Sequence, residues 1–186
     1  MDIEPKLIDY RKFSESLDFY EARGYVYMEV PWIVSDEAIS VTLPPEAEAT
    51  TTPLGILVGS AEQSFIELLL RGENITKACA ITPCFRDEID GWDDLHQPYF
   101  MKLELIHTDS SDEVIVEMIK DATELFSRWL PVRIEETEIG FDIVDATRGI
   151  ELGSYGRRDL GDGRQFIYGT GLALPRLDVI LSSFGT

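Results

Sequence analysis

Lysine is scarce in this chain. There are five lysines in 186 residues, and lysine and arginine together number 16 against 35 aspartates and glutamates, a net charge of −19 with a pI near 4.3. A protein that grips a nucleic-acid backbone gains affinity by releasing counterions with basic side chains, and so negative a field opposes that. The same composition suits a protein adapted to high salt, where screening would weaken the objection. Cysteines are equally few: Cys79 and Cys84, five positions apart, leave no disulfide framework, and with only two histidines no Cys/His metal cluster is in prospect. Buried thiols are the expectation. No apolar run approaches the roughly 18 residues of a membrane span, and the opening MDIEPKLIDY is too charged for a secretory leader. The expectation is a cytoplasmic protein with no membrane partner.

What is present is enough for a core. Hydrophobic residues make up 44% and aromatics 10%, and the length fits a single domain over residues 1–186. The stretch Ile81–Ile106, ITPCFRDEIDGWDDLHQPYFMKLELI, reads as two strands across a long turn. Alternation of period two puts Cys84, Arg86 and Glu88 on one side of the first strand. In the second, Phe100, Lys102 and Glu104 share a face opposite Met101, Leu103 and Leu105. Such a hairpin could be simply amphipathic sheet with one wet face. An arginine, two carboxylates and an aromatic ring on one wall could equally hold a nucleotide, the guanidinium forking onto phosphate and the ring stacking on a base.

Around it the chain is punctuated clearly. Tyr10, Phe13, Leu17 and Tyr20 recur at helical spacing within 7–23, Gly24 follows as a stop, and residues 25–30 read as a strand ending at Pro31. From Ser35 to Pro53 no periodicity is visible, so an exposed loop is expected, either passive or a lid. Ser60 and Gln63 have capping-box spacing ahead of an apolar helix that stops at Gly72. Ser110–Glu113 opens a second amphipathic helix, with Ile115, Met118, Ala122, Leu125 and Trp129 on one face. Residues 132–146 alternate loosely as one strand, and Thr147–Gly149 make a turn. After the DLGDG turn, Gly169-Thr170-Gly171 leads to Arg176 and an apolar helix over 177–184, with Pro175 acceptable in a first turn.

Along the chain the residues resemble one family, first in its three motifs. Phe85-Arg86-Asp87-Glu88 and then His96-Gln97-Pro98-Tyr99-Phe100 look like motif 2 of the class II aminoacyl-tRNA synthetases, F-R-x-E, a loop, and H-x-x-x-F. TPCFRDE to HQPYFMKLEL is similar to the seryl subclass. Gly169 to Arg176 matches motif 3, G-x-G-x-x-x-x-R, and the helix, glycine, strand, proline run over 7–31 resembles motif 1. The resemblance implies that Arg86 holds the α-phosphate of ATP, Glu88 meets the adenine amino group, Phe100 stacks on the base and Arg176 binds the γ-phosphate. Gly169, Gly171 and His96, at the exit of the motif 2 loop, join the nucleotide set. LVGSAEQ resembles the T-x-E loop, with Ser60 where threonine is usual, which puts Glu62 at the substrate amino group; the bland alternative is a helix cap. Glu104 resembles a seryl-enzyme carboxylate near the amino acid. Ile150-Glu151-Leu152-Gly153-Ser154 resembles the E-[IL]-S-S strand, making Glu151 the Mg²⁺ ligand and Ser154 a substrate contact.

The implied fold is α+β, a mainly antiparallel sheet flanked by helices. The implied chemistry is ATP- and Mg²⁺-dependent formation of an aminoacyl-adenylate by a ligase-type enzyme. Motif 1 implies a homodimer through 7–31, although an ordinary edge element would have the same pattern. No stretch resembles an anticodon-binding domain, a coiled-coil arm or a basic patch, so the expected acceptor is a carrier protein or small molecule and tRNA is disfavoured. Two alternatives stand beside this: a non-catalytic paralogue that senses an amino acid or nucleotide, and a minimal synthetase.

Overall fold

The first helix begins where an aspartate can cap it. In the computed structural model, which describes residues 7–44, 47–86, 91 and 93–183, Asp9 accepts from the Arg11 N–H at 3.2 Å and α1 runs over Tyr10–Glu21. Phe13, Phe19 and Tyr20 are buried, whereas Tyr10, at the first helical position, points to solvent. Gly24 takes φ +82° and turns the chain into β1, Val26–Tyr27. The strand expected over 25–30 is thus only two residues long.

The aperiodic segment after Pro31 is more ordered than its sequence suggests. β2 (Ile33–Val34), α2 (Asp36–Ser40), β3 (Thr51–Thr52) and β4 (Gly55–Leu57) build a separate three-stranded sheet in the order β2-β4-β3 with a short helix beside it. Ser35 caps α2, and Ala38 and Ile39 are buried. The loop expected over 35–53 is corrected accordingly: Ala38, Ile39 and Ile56 bury against the next helix, and that tertiary contact orders a stretch with no periodicity of its own.

That helix, α3 (Ala61–Leu70), is followed by the paired nine-residue strands β5 (Lys77–Phe85) and β6 (Tyr99–His107). Cys84 faces Phe100, Thr82 faces Lys102 and Ala80 faces Glu104, so the sides expected from alternation are the sides observed. Both cysteines are buried and unbridged, and burial pushes the thiols up to about 12 at Cys79 and about 11 at Cys84. α4 (Asp112–Phe126) presents Ile115, Met118, Ala122 and Leu125 to the core as expected. The single strand expected over 132–146 is a hairpin, β7 (Val132–Thr137) and β8 (Gly140–Asp145), turning at Glu138–Ile139. β9 (Glu151–Asp159), β10 (Gln165–Leu174) and α5 (Arg176–Ser182) complete the fold; Phe184 lies outside the described residues.

The main sheet has seven strands in the order β1-β5-β6-β10-β9-β8-β7, antiparallel except for the β1–β5 pair. One face carries Leu103, Leu105, Ile143 and Leu172 and is covered by α1 and α4 through Phe13, Tyr20, Met118 and Leu125. The other carries Ala78, Ala80, Ile106 and Phe166 and is covered by α3 and the small sheet. The face that might have stayed wet is roofed, and the roof leaves a cavity.

Two β-bulges decide what enters that cavity. On β10 the register jumps between Thr170, opposite Glu104, and Leu172, opposite Leu103, leaving Gly171 unpaired. Its carbonyl accepts from the buried Tyr20 hydroxyl at 3.1 Å. A Cβ there would lie 2.2 Å from Leu103 Cδ2 and 3.0 Å from the Tyr20 ring. On β9 the register passes from Gly153, opposite Ile143, to Glu151, opposite Val144, so Leu152 is the extra residue. Gly171→Ala therefore overpacks the core, and a loss of about 1–3 kcal/mol is expected, read as a lower denaturant midpoint at unchanged m-value.

Candidate functional site

A cavity of about 530 Å³ lies between the main sheet and its α3 roof, a size usual for small-molecule sites. Its lining gathers Arg86, His96, Phe100, Glu104, Glu62, Ser154, Glu151 and Arg176 from five separate segments of the chain. These are all the described residues singled out in the sequence except Gly169 and Gly171. Ile39, Leu43 and Ala49 from the small-sheet region close it from above.

The open side holds Arg86, which is exposed. Arg86 follows directly on β5, with its backbone N–H donating to Pro98 O at 3.0 Å and its Nε donating to Gly59 O at 2.9 Å. Its guanidinium lies 5.2 Å from the Phe100 ring centroid, a cation–π distance. The Gly59 N–H in turn donates to Gln63 Oε1 at 2.7 Å, and Gln63 Nε2 donates to Thr42 Oγ1 at 2.8 Å. Gln63 thus reaches back one residue beyond its own helix cap and ties the overhead segment down. His96 Nδ1 lies 3.0 Å from Asp93 Oδ1, which also accepts from the Leu95 and His96 backbone N–H groups, both at 2.7 Å. Hydrogen bonds from His96, first its backbone N–H, lower the Asp93 pKa. Across the cavity Arg176, half-buried at the start of α5, donates to Glu151 Oε1 at 3.3 Å.

The buried side is built of paired charges. Glu104, 1% exposed, accepts from Ser60 Oγ at 2.5 Å and from Lys102 Nζ at 2.8 Å. Ser60 Oγ also accepts from the Glu62 N–H at 3.3 Å, so one hydroxyl both caps α3 and serves the sheet carboxylate. Glu62, 6% exposed in the first turn of α3, accepts from Arg158 Nε at 2.7 Å. Burial pushes its carboxyl pKa up, with Arg158 opposing and Glu104 reinforcing the shift. The Arg158 guanidinium sits 4.9 Å from the Tyr168 ring centroid. Glu62 is therefore both helix-start residue and cavity wall.

Of the expected nucleotide set, Gly169 and Gly171 are the described residues that do not line the cavity. A Cβ on Gly169 would meet the Tyr155 ring at 2.4 Å and Met118 Sδ at 2.7 Å, so both glycines serve close packing on the opposite face of the sheet. Glu88 lies outside the described residues. Lys102 and Arg158 line the cavity without having been singled out. The signal for Arg158 was available, since Ser154, Gly156 and Arg158 alternate on one face of β9. Glu151 joins them at odd spacing because of the bulge at Leu152.

Among the described residues no group of three His, Cys, Asp or Glu side chains could hold a metal ion. An all-protein cation cage is therefore not among them. Glu151, exposed and on the cavity wall, fits the other mode, in which one carboxylate shares a magnesium ion with substrate phosphates and water.

The roof is anchored at one carboxylate. Glu67 Oε2 accepts from the Ser35 N–H at 2.9 Å and from Ser35 Oγ at 2.6 Å, while Oε1 meets Arg71 at 2.6 Å. Burial pushes this carboxyl up, but the Ser35 and Arg71 bonds outweigh it and the net pKa is lowered. A lowered carboxyl binds fewer protons folded than unfolded, so its contribution is present above its ordinary 4.5 and lost as pH falls through the lowered folded value. Glu67→Gln is expected to cost about 1–3 kcal/mol at pH 7. The gap from wild type should narrow progressively as pH falls below 4.5, as measured by urea unfolding at pH 7 and over an acid series.

No protein-family model matches the chain, and no curated protein sequence does. Solved structures do. The pyrrolysyl-tRNA synthetase of Desulfitobacterium hafniense superposes with a TM-score of 0.71 at 17% identity, over 93% of this chain and 66% of that one. The cytoplasmic serine-tRNA ligase of Naegleria fowleri, solved with AMP, gives 0.72 at 18% identity, over 91% of this chain and 48% of that one. The seryl-tRNA synthetase of Pyrococcus horikoshii, solved with ATP, gives 0.74 at 19%, over 88% and 48%. This chain spans about half the length of the two seryl chains and 66% of the pyrrolysyl one. Two amino-acid specificities among the neighbours leave no preference for the seryl subclass. The chain has the α+β fold of the class II aminoacyl-tRNA synthetase catalytic core, a mostly antiparallel sheet flanked by helices.

Proposed function

We propose that this protein binds ATP and activates an amino acid as its aminoacyl-adenylate. The observation that carries the reading is one cavity lined by Arg86, Phe100, Glu151 and Arg176 on its open side and by Glu62 and Glu104 on its buried side. In the reaction a carboxylate oxygen of the amino acid attacks the α-phosphorus. The bond from that phosphorus to the bridging oxygen breaks, and its electron pair leaves with pyrophosphate. Arg86 stands over the Phe100 ring, an arrangement suited to a base stacked on the ring and an α-phosphate on the fork. Arg176 supplies the second cation for the departing phosphates. A magnesium ion shared between Glu151 and the phosphates would neutralise charge there. The Arg176–Glu151 contact is solvent-facing and long, so it opens at little cost to release both groups.

The ammonium of the amino acid belongs at the buried carboxylates, where Glu104 and Glu62 line the wall and Ser154 and Ser60 add hydroxyls. His96 flanks the open side within reach of a phosphate tail. The net charge of −19 favours transfer to a carrier protein or small molecule over tRNA. A homodimer through residues 7–31 is supported by exposed Tyr10 at the start of α1 and exposed Val26 in β1, an edge strand of the main sheet.

ATP, Mg²⁺ and a panel of amino acids should give pyrophosphate exchange with at least one of them. Arg86→Ala should reduce it about 100-fold or more, and Phe100→Ala should weaken ATP binding by about 10- to 100-fold. ATP binding with no exchange across the panel would replace activation by the sensor reading.

A further inference from the structure

We propose that Arg158 makes the buried end of the cavity select an amino acid whose side chain ends in a carboxylate or carboxamide oxygen. The inference rests on the activation reading and adds a substrate class to it.

The buried wall holds two carboxylates and two cations, each carboxylate already matched: Glu104 with Lys102 at 2.8 Å and Glu62 with Arg158 at 2.7 Å. A substrate ammonium entering there takes a share of a carboxylate and leaves a cation under-compensated. Lys102 stays closed in beside Glu104, its side chain 12% exposed. Arg158 is the more accessible, at 29%, and is fixed from two directions, by Glu62 at Nε and by the Tyr168 ring against its guanidinium. A guanidinium carries four N–H donors besides Nε, in a planar fork that matches an sp² oxygen pair.

The α-carboxylate is committed to the open side, where it must meet the α-phosphate near Arg86. The remaining arm of the substrate is the side chain, and its surroundings are Arg158, Tyr168, Ser154 and Thr170. A side-chain oxygen acceptor restores the charge balance that the ammonium upset. An apolar side chain would strip water from the guanidinium and return no acceptor, leaving buried donors unpaired. A lysine-type side chain would meet like charge. Arg158 is not needed merely to neutralise Glu62, because a compact ammonium would serve that purpose; the fork is what a planar acceptor uses.

The test measures pyrophosphate exchange, and thermal stabilisation with a non-hydrolysable ATP analogue, for Asp, Glu, Asn, Gln, Ser, Leu and Lys. Wild type should prefer one of the first four over Leu and Lys by about 100-fold or more in kcat/KM, and comparing the acids with their amides separates charge from acceptor geometry. Arg158→Lys, which keeps the charge and loses the fork, and Arg158→Met should erase that preference while leaving the KM for ATP unchanged. Because Arg158→Met strands a buried Glu62, Arg158→Lys, which keeps a cation beside that carboxylate, carries the test if Arg158→Met misfolds. Preference for Ser, Leu or Lys in the wild type, or an unaltered rank order in the folded variants, overturns the inference and leaves activation standing. Analogue binding without a response to any amino acid removes activation, and the inference with it.

Discussion

A carboxylate at 1% exposure in the middle of a sheet has to be compensated, and much of this molecule is arranged around doing so for Glu104. Lys102, two residues along the same strand, supplies the charge, and Ser60 supplies a hydroxyl from the first position before α3. Since that hydroxyl also caps the helix, α3 cannot start elsewhere without stranding either its own N–H groups or the carboxylate. The Ser60–Glu104 bond thereby fixes where the roof meets the sheet. Gly59, immediately before it, places its carbonyl on Arg86 and its N–H on Gln63. One short loop therefore sets the position of the sheet carboxylate, the cation at the end of β5 and the overhead segment.

The strands carry these groups into a common space by irregularity as much as by regularity. Strict alternation would have put Glu151 and Ser154 on opposite sides of β9, and Thr170 and Leu172 on the same side of β10. The bulges at Leu152 and Gly171 reverse both relations. Thr170 and Glu151 consequently reach the cavity while Leu172 stays in the core. Gly171 is the position where that shift is most crowded, with Leu103 and Tyr20 both against it.

The legibility of the sequence follows the same division. Regular elements are legible: β5 and β6 with their two faces, α4 with its buried stripe and the Gly24 stop after α1 are evident from period and punctuation. The bulges are not, because a one-residue insertion leaves no compositional trace, and the motif 3 likeness of Gly169 and Gly171 does not reveal that both pack tightly against the core face of the sheet. The order of the segment over 35–53 is not legible because it comes from Glu67 and Gln63 on a different element. Most proposed site residues share one cavity, which the family resemblance anticipated and composition alone could not. Lys102 and Arg158 stood in readable strands, but alternation alone does not say which face of a sheet will be roofed.

Charge is where the local and global descriptions part. The chain as a whole carries −19, yet Arg86, Lys102, Arg158 and Arg176, four of its 16 basic residues, line a single cavity. Against them stand Glu48, Glu62, Glu104 and Glu151, so among the described residues the wall is close to neutral inside a strongly negative shell. At distances beyond a Debye length an approaching anion feels the shell, and at contact it feels the cations. A compact anion that enters completely crosses the repulsive zone once and then meets Arg86 and Arg176 at close range. An extended polyanion would lie partly in that zone throughout, with most of its charges uncompensated. The distribution discriminates by the length of the ligand over which charge is spread, and added salt relaxes that discrimination by screening the shell before it weakens the short, partly buried contacts within.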